Sequence, residues 1–568
     1  MVVLGLSHDL WISSAAIVID GEVKAAAAEE RLNRIKKYKG FPSLSIEYCL
    51  KEAGLNIDDV DLVVNGWNPT WHLESFHPRF SSQARWRPEY LYSIPNFLLQ
   101  KSNNHPEGHI EQIFQGFHPK ICYIDHHIAH AASSYYLSSF DKAAFLILDG
   151  QAERHTGTFG YCDKNDIKKF DTVNYPHSLG LFYGTVTQYL GFQPDSDEWK
   201  VMALASYGSL EDNKFYDKLD KIVTVEPSGK FNIDLDYFGF HQPDVFGSNY
   251  YSDKFTECIG IPKRNPNDNL TRDHKQLAWA CQRVFEDTLK KMLDILYGRT
   301  KIDNLIVSGG CFMNSVYNGK LINQTQFDNI FIGSCPDDSG ISVGAALWGY
   351  YNEHKNNKRV GHIHNYWGPK YDDQVEETLI KYKLEYKKLD NPSVKAAELI
   401  SDSKIIGWFQ GRMEFGQRAL GNRSILADPR NKNSKDLVNL AVKYRESFRP
   451  FAPSILFEYA EEYFNTNGDN SVNFMEKVFL FKDEKKSSVP AVVHVDGSGR
   501  LHTVDEVSNP MFYQLIKTFK DITGIPIVLN TSFNLNGEAI VCTPVDAIRT
   551  FYSCGLDYLI IGDYLLSK

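Results

Sequence analysis

The sequence predicts an α/β protein built from more than one domain. Three observations predict it. Short β-branched runs alternate with helical periodicities through the first half. One hairpin plan occurs twice. The 568 residues exceed a single core, which at about 150 residues per unit suggests roughly two to four domains or subdomains.

Taken in order, the first hairpin is LGLSHDLWISSAAIVIDG, starting at Leu4. Its strands are expected at Val2–Leu6 and Ala15–Ile19, joined by a polar turn that carries Asp9. Further strands are expected at Leu62–Asn65, Ile121–Ile124, Ala144–Leu148, Leu305–Val307 and Ile330–Ile332, each a short apolar run bounded by polar or turn residues. The second hairpin, LILDGQAERHTGTFGYC from Leu146, repeats the plan of strand, Asp-bearing turn, small or hydroxyl residues and strand. Two such hairpins are expected of a duplicated nucleotide-binding fold, although two β-hairpins also resemble each other by chance. Long helices are expected at Asp273–Leu296 and Ile341–Tyr351. The polar, aperiodic stretch Tyr351–Tyr371 reads as an interdomain linker. Beyond it a second α/β region is dense in Arg and Gly at 407–430 and closes with strands at Ile527–Leu529 and Tyr558–Ile561.

Composition narrows the function classes. A net charge of −10 argues against a general nucleic-acid or membrane-surface binder, so anionic ligands must be caught by local cation clusters. Nine Cys with no CxxC pair fit free thiols in a reducing compartment. The opening MVVLGLSHDL reads as a strand rather than a signal peptide, and no apolar stretch reaches ~18 residues. A cytoplasmic protein is expected.

The first chemical signal is DHHIAHA, Asp125–Ala131. His126 and His130 stand one helical turn apart on one face, just after a strand. The pair lacks the glutamate of a zincin, and an HxxxH pair is as readily a coincidence of core or surface. Two carboxylates add weight. Asp149 ends an apolar strand at a Gly turn, and Asp338 lies in a turn between Pro336 and Gly340. Two imidazoles and two carboxylates suit Fe²⁺, Zn²⁺ or Mn²⁺, while each Asp alone is equally an N-cap or turn residue. SGGCFMNS, Ser308–Ser315, places two glycines after a strand, which admits a phosphate or nucleoside edge but is more often a turn. In GWFQGRMEFGQRALGNRSILADPR, Gly407–Arg430, Arg412, Arg418 and Arg423 crowd a Gly-rich segment. KYRESFRPFAP adds Lys443, Arg445 and Arg449, and HVDGSGR adds Arg500. So many cations among apolar residues in an acidic protein point to a buried polyanion site.

These motifs carry a resemblance. With AAEERLNRIK, WKVMALASYG, PDDSGISVGAA and LNTSFNLNGE, and in this order, the chain resembles over essentially its full length the O-carbamoyltransferases of nodulation-factor, cephamycin and tobramycin biosynthesis. The resemblance implies an actin/Hsp70-like (ASKHA) domain with duplicated subdomains at 1–355, a linker at 356–370, and a YrdC-like α/β domain at 371–568. It implies that the C-terminal site turns carbamoyl phosphate and ATP, with Mg²⁺, into carbamoyl-adenylate. The N-terminal site would then pass the carbamoyl group to a hydroxyl of a small-molecule acceptor. By the resemblance the metal ligands fall on His126, His130, Asp149 and Asp338, with Fe²⁺ the expected ion and Zn²⁺ or Mn²⁺ the alternatives. Nucleotide contacts fall around Gly309, Gly310 and Asn314, and His8 matches the catalytic base. The carbamoyl phosphate and ATP cradle falls on Arg418, Arg423, Lys443, Arg449 and Arg500, with Asn530 and Ser532 nearby. Two departures stand out: family members read EGKVM where this chain has Glu198-Trp199-Lys200, and FGPRALG where it has Gln417.

The rival readings are a small-molecule kinase on the same ASKHA fold, a tRNA threonylcarbamoyl-modifying protein, and a non-catalytic nucleotide-binding regulator. The first leaves the HxxxH pair and the Arg-rich region unexplained. The second is disfavoured by net charge, and no nucleic-acid or membrane partner is expected. The third is disfavoured because every expected ligand position is filled. Homodimer formation is left open. The acceptor pocket is expected in the aromatic segment Trp67–Gln115, which is as readily a packed excursion without a ligand.

Overall fold

The structure is a computed structural model of residues 1–568, describing all of them except 9–10, 69–105, 115–116, 118, 242–248, 363, 444–445 and 447. Most of the expected acceptor segment, and Arg445, therefore lie outside the described residues.

The duplication is visible in the strand order. The first sheet contains β1 (Val2–Ser7), β2 (Ser14–Ile19), β3 (Glu22–Ala28), β4 (Leu62–Asn65) and β5 (Ile121–Tyr123), ordered β3-β2-β1-β4-β5. The second contains β6 (Lys142–Leu148), β7 (His155–Asp163), β8 (Asp166–Asn174), β11 (Asn304–Ser308) and β12 (Asn329–Ile332), ordered β8-β7-β6-β11-β12. A two-stranded ribbon, β9 (Val223–Val225) and β10 (Phe231–Ile233), lies between β8 and β11 in sequence. In both sheets the first three strands form an antiparallel meander and the last two run parallel to the first. The two hairpins are thus equivalent parts of one repeated unit.

Two helices pack between these sheets. α1 (His126–Tyr135) lies against α4 (Ile341–Glu353), and α4 also covers β1, while α2 (Glu198–Ala205) packs on the long α3 (Arg272–Thr300). Thr271 caps α3 reciprocally with His274, which explains its start one residue before the expected one. Strand ends differ from expectation by one or two residues, because pairing continues past the apolar run into polar positions such as Lys142 and Ser308.

The C-terminal part is also α/β. With β13 (Lys387–Lys388), β14 (Ile406–Phe409), β20 (Tyr558–Ile561) and β21 (Tyr564–Ser567), its nine-stranded mixed sheet has the order β13-β21-β20-β14-β15-β19-β16-β18-β17. The strands that matter below are β15 (Arg423–Ala427), β16 (Ala452–Leu456), β17 (Lys477–Leu480), β18 (Ser498–Val504) and β19 (Ile527–Ser532). α5 (Pro392–Ser401) and α6 (Pro510–Thr523) pack together over one face around Trp408, Leu426, Val528 and Phe512.

The expected linker is only half solvated. After α4 the chain has no regular element, but Asn365 and Trp367 are buried. Trp367 O accepts from Ala26 N (3.1 Å), Tyr48 Oη (2.7 Å) and Arg412 Nη2 (2.7 Å), and Asn365 Nδ2 donates to Phe415 O (2.8 Å). The polar residues 355–358 are exposed, whereas from Asn365 onward the stretch pairs with both halves. The halves also interlock elsewhere. A Cβ at Gly319 would lie 1.9 Å from Val478 O in β17, and Asn318 Nδ2 bridges Phe312 O (2.7 Å) and Glu476 O (2.9 Å). No helix among the described residues is long and apolar enough to cross a membrane.

Candidate functional site

The site forms where the strands of the two repeated sheets end, the edge at which open α/β sheets bind ligands. β6 delivers Asp149, β11 delivers Gly309, and β5 leads through Ile124 into α1. Asp125 caps α1 by accepting from Ile128 N (3.2 Å), so the helix begins at His126 and both its imidazoles face inward. Their rings lie 4.7 Å apart and nearly perpendicular. Asp338 arrives from the tight turn before α4. One donor atom from each of His126, His130, Asp149 and Asp338 lies within 4.8 Å of the others, and all four side chains are buried.

This arrangement asks for positive charge. His126 Nδ1 sits 3.2 Å from Gly66 O, which can only accept, so the proton belongs on Nδ1 and the Nε2 lone pair faces the two carboxylates. That Nε2 and Asp338 Oδ2 are buried atoms with no hydrogen-bond partner among the described residues. His130 Nε2 lies 3.0 Å from Asp149 Oδ2, and its Nδ1 3.3 Å from Ser308 Oγ. Without an ion the carboxylates draw protons onto the imidazoles. Burial alone would push His126 and His130 down, but Asp338 and Asp149 hold both above the ordinary value. An N₂O₂ set with orphaned inward atoms fits a divalent cation. His127 is different: burial pushes it down to about 3, and its Nδ1 bonds Thr158 Oγ1 at 2.7 Å.

The paired glycines adjoin this cluster. Gly309 has φ 97°, and a Cβ there would lie 2.1 Å from Leu148 O, so only glycine lets β11 pass so close to β6. Gly310 N donates to Asp149 Oδ1 (3.3 Å). Asn314 is engaged internally, exchanging both amide hydrogen bonds with Gln282 (2.8 and 3.1 Å) and capping Tyr317 N. His8 follows β1 and is buried edge-on to Phe41. It stands two residues beyond Leu6, whose carbonyl accepts from Gly66 N (3.0 Å), the residue that in turn bonds His126.

The expected cradle resolves into several roles. Arg418 is partly buried, and burial pushes it down to about 10 against the favourable charge of Asp337. Its neighbour Gln417 donates from Nε2 to Asp337 Oδ2 (2.6 Å), so the Arg-rich loop rests on the turn that carries Asp338. Lys443 Nζ donates to the carbonyls of Ser532 (2.5 Å) and Asn534 (2.9 Å) and to Asn534 Oδ1 (2.8 Å). Arg449 lies 3.8 Å over the Trp199 ring and 3.4 Å from Glu446, and burial pushes it down to about 10. Lys200 pairs with Asp197 (3.1 Å) and Glu446 (3.0 Å). Arg500 lies on β18 opposite Val478 of β17, and Asn530 and Ser532 lie on β19.

Arg423 departs from expectation. Its Nη1 donates to Gln410 O (2.6 Å) and Asn422 O (2.9 Å), and its Nη2 to Pro369 O (3.2 Å) and Gly411 O (3.1 Å). Fully buried over Phe409, it has no terminal donor left for a substrate and pins the loop instead. Arg412 is likewise occupied with backbone oxygens and Tyr48.

Sequence reasoning missed three contributors. Glu153 Oε1 accepts from His126 N (3.0 Å) and Asn68 N (2.9 Å), tying the start of α1 to the loop after β4. Arg31 Nη2 donates to Gly416 O (2.9 Å) from the N-terminal half. Trp199 supplies the face under Arg449. Charged residues in Ala-rich AAEERLNRIK were the available signal for Arg31, and an aromatic at the departure from the family pattern was the signal for Trp199.

The sequence matches known proteins over most of its length. Residues 2–347 match the family model "Carbamoyltransferase N-terminus" and residues 397–568 match "Carbamoyltransferase C-terminus". The chain is similar to nodulation protein NolNO of Sinorhizobium fredii, with 36% identity over 99% of this chain and 79% of that protein. It is similar to an uncharacterized protein, sll1178, of Synechocystis, with 35% identity over 100% of this chain and 96% of that one. It is also similar to a 3'-hydroxymethylcephem-O-carbamoyltransferase of Streptomyces clavuligerus, 30% identical over 46% of this chain and 48% of that enzyme.

Proposed function

The chain belongs to the carbamoyltransferase family, an enzyme family, and we propose that it is an ATP-dependent O-carbamoyltransferase working in two steps. In the C-terminal half, carbamoyl phosphate, water and ATP give carbamoyl-adenylate, phosphate and pyrophosphate. In the N-terminal half, the hydroxyl of a small-molecule acceptor attacks the carbamoyl carbon and AMP leaves. One observation carries the reading: the buried four-ligand cluster and the Arg418 loop meet at a single turn, with Asp338 facing one and Asp337 the other.

Arg418, Lys443, Arg449 and Arg500, with Asn530 and Ser532, would hold the phosphates of carbamoyl phosphate and Mg²⁺-ATP. Several negative charges brought into one enclosed site repel strongly unless cations face them. Enclosure also keeps water from carbamate and its adenylate. In the N-terminal half the backbone at Gly309 and Gly310, beside Asp149, would lie against the adenylate. His126, His130, Asp149 and Asp338 would hold a divalent ion, Fe²⁺ or else Zn²⁺ or Mn²⁺, which supplies charge neutralisation at phosphate and polarisation of a carbonyl. His8 would take the acceptor's proton, a contribution of roughly 10²–10⁴-fold. Asn314, already paired with Gln282, would set the position of the glycine loop.

The test is incubation with Mg²⁺-ATP and labelled carbamoyl phosphate without acceptor. Pyrophosphate and AMP should form only when carbamoyl phosphate is present. ADP as the nucleotide product would favour a kinase and overturn the reading.

A further inference from the structure

Within the C-terminal sheet a row of polar side chains crosses three strands. β16 lies between β18 and β19, with Ser454 opposite both His502 and Val528, and Ala452 opposite Asn530. Because alternate residues share a face, His502, Ser454 and Asn530 lie on the same side. All three are buried, with Ser454 and Asn530 fully enclosed. Ser454 Oγ lies 2.8 Å from His502 Nδ1, and Asn530 Nδ2 donates to Ser454 Oγ at 3.0 Å and to Ala419 O at 3.2 Å.

The chemistry of these partners fixes every proton. A carbonyl only accepts, so the Asn530 atom facing Ala419 must be the amide nitrogen. That nitrogen donates to Ser454, whose own proton then has His502 Nδ1 as its remaining partner. Burial pushes His502 down to about 3, so at neutral pH the ring is neutral and can offer Nδ1 as an acceptor. Phe512 stacks on the imidazole and restrains it. The result is one orientation of the Asn530 amide, with Oδ1 turned the other way. That oxygen is buried and meets no donor among the described residues. It lies beside the expected cradle, since Ala419 follows Arg418 and Ser532 is two residues along the strand.

We propose that His502 and Ser454 are positioning residues that hold Asn530 Oδ1 as an acceptor for the N–H of the carbamoyl group, and so make the site select carbamoyl phosphate over acyl phosphates of the same shape. The inference rests on the function proposed above for the C-terminal half. Acetyl phosphate places a methyl where carbamoyl phosphate has an amine. A methyl cannot satisfy a buried oxygen, and sites built to bond a polar group reject the analogue that lacks it.

The test compares the KM for carbamoyl phosphate in pyrophosphate release with inhibition by acetyl phosphate in the same assay. Wild type should bind carbamoyl phosphate far more tightly. Ser454→Ala removes one of the two acceptors that hold the Asn530 amide nitrogen, His502→Leu lets the Ser454 proton turn toward Asn530 instead, and both should narrow the gap by about tenfold or more while leaving the KM for ATP unchanged. His502→Asn, whose side-chain oxygen can take the place of Nδ1, should restore selectivity, which a merely structural role would not predict. Ser454→Ala deletes one oxygen and keeps the test open should His502→Leu not fold. Selectivity equal to wild type in Ser454→Ala overturns this inference alone. Absence of carbamoyl-phosphate-dependent pyrophosphate release in wild type overturns the proposed function, and this inference with it.

Discussion

Individual side chains in this protein divide by what their polar atoms already touch. Arg423 and Arg418 were indistinguishable in sequence, both Arg in a Gly-rich stretch. The first has its terminal N–H groups bonded to four backbone oxygens, whereas the second is partly buried within the electrostatic reach of Asp337. Spacing cannot report this, because it depends on which loop carbonyls fold over the guanidinium. The two His were legible from spacing because a helix turn forces His126 and His130 onto one face. Glu153 was not, since its contact with His126 N crosses from a separate hairpin turn. If His126, His130, Asp149 and Asp338 share one ion, His130→Ala should lose most of the bound metal while keeping its circular dichroism. Elemental analysis decides it: metal content equal to wild type would remove His130 from the ligand set.

At the scale of elements, the site depends on how closely β11 passes β6. Gly309 combines a left-handed φ of 97° with a Cβ position 2.1 Å from Leu148 O, a contact no side chain can make without moving backbone. Gly524, at the end of α6, has a φ of 78° and open space around its Cβ position. Ala at either position pays the conformational strain, about 1–3 kcal/mol, but only Gly309→Ala must also push the two strands apart. Since Gly310 N anchors Asp149 Oδ1, that movement should reach the metal ligands. Gly309→Ala should therefore melt at a lower temperature than Gly524→Ala and bind less metal, while Gly524→Ala keeps wild-type metal content. Similar melting and metal content in the two variants would show that the close approach is not needed. The paired glycines were visible in sequence. The reason for them was not, because it lies in a neighbouring strand more than 150 residues away in the chain.

For the molecule as a whole, the parallel-paired strands of the N-terminal half were legible because buried apolar runs with polar ends specify them. The C-terminal sheet was read at few of its strands, since it includes short, charged or edge segments such as Lys387–Lys388. The stretch between the halves was legible in part: its exposed residues 355–358 suit a solvated linker, whereas Asn365 bonds Phe415 O, a contact that spacing cannot report. The consequence is that the two proposed sites lie in halves that interlock. Arg449 tests their division. It belongs to the C-terminal half, yet its guanidinium rests on Trp199 of α2, and Glu446 beside it pairs with Lys200. Arg449→Ala removes a cation from the carbamoyl phosphate cradle and leaves His126, His130, Asp149 and Asp338 untouched. Carbamoyl-phosphate-dependent pyrophosphate release should fall by 100-fold or more, since losing a charge-assisted contact costs about 2–5 kcal/mol. Transfer from supplied carbamoyl-adenylate to an acceptor should stay near the wild-type rate. Loss of both activities together would mean that the Trp199–Arg449 contact serves the N-terminal site as well, and that the two steps are not divided between the halves.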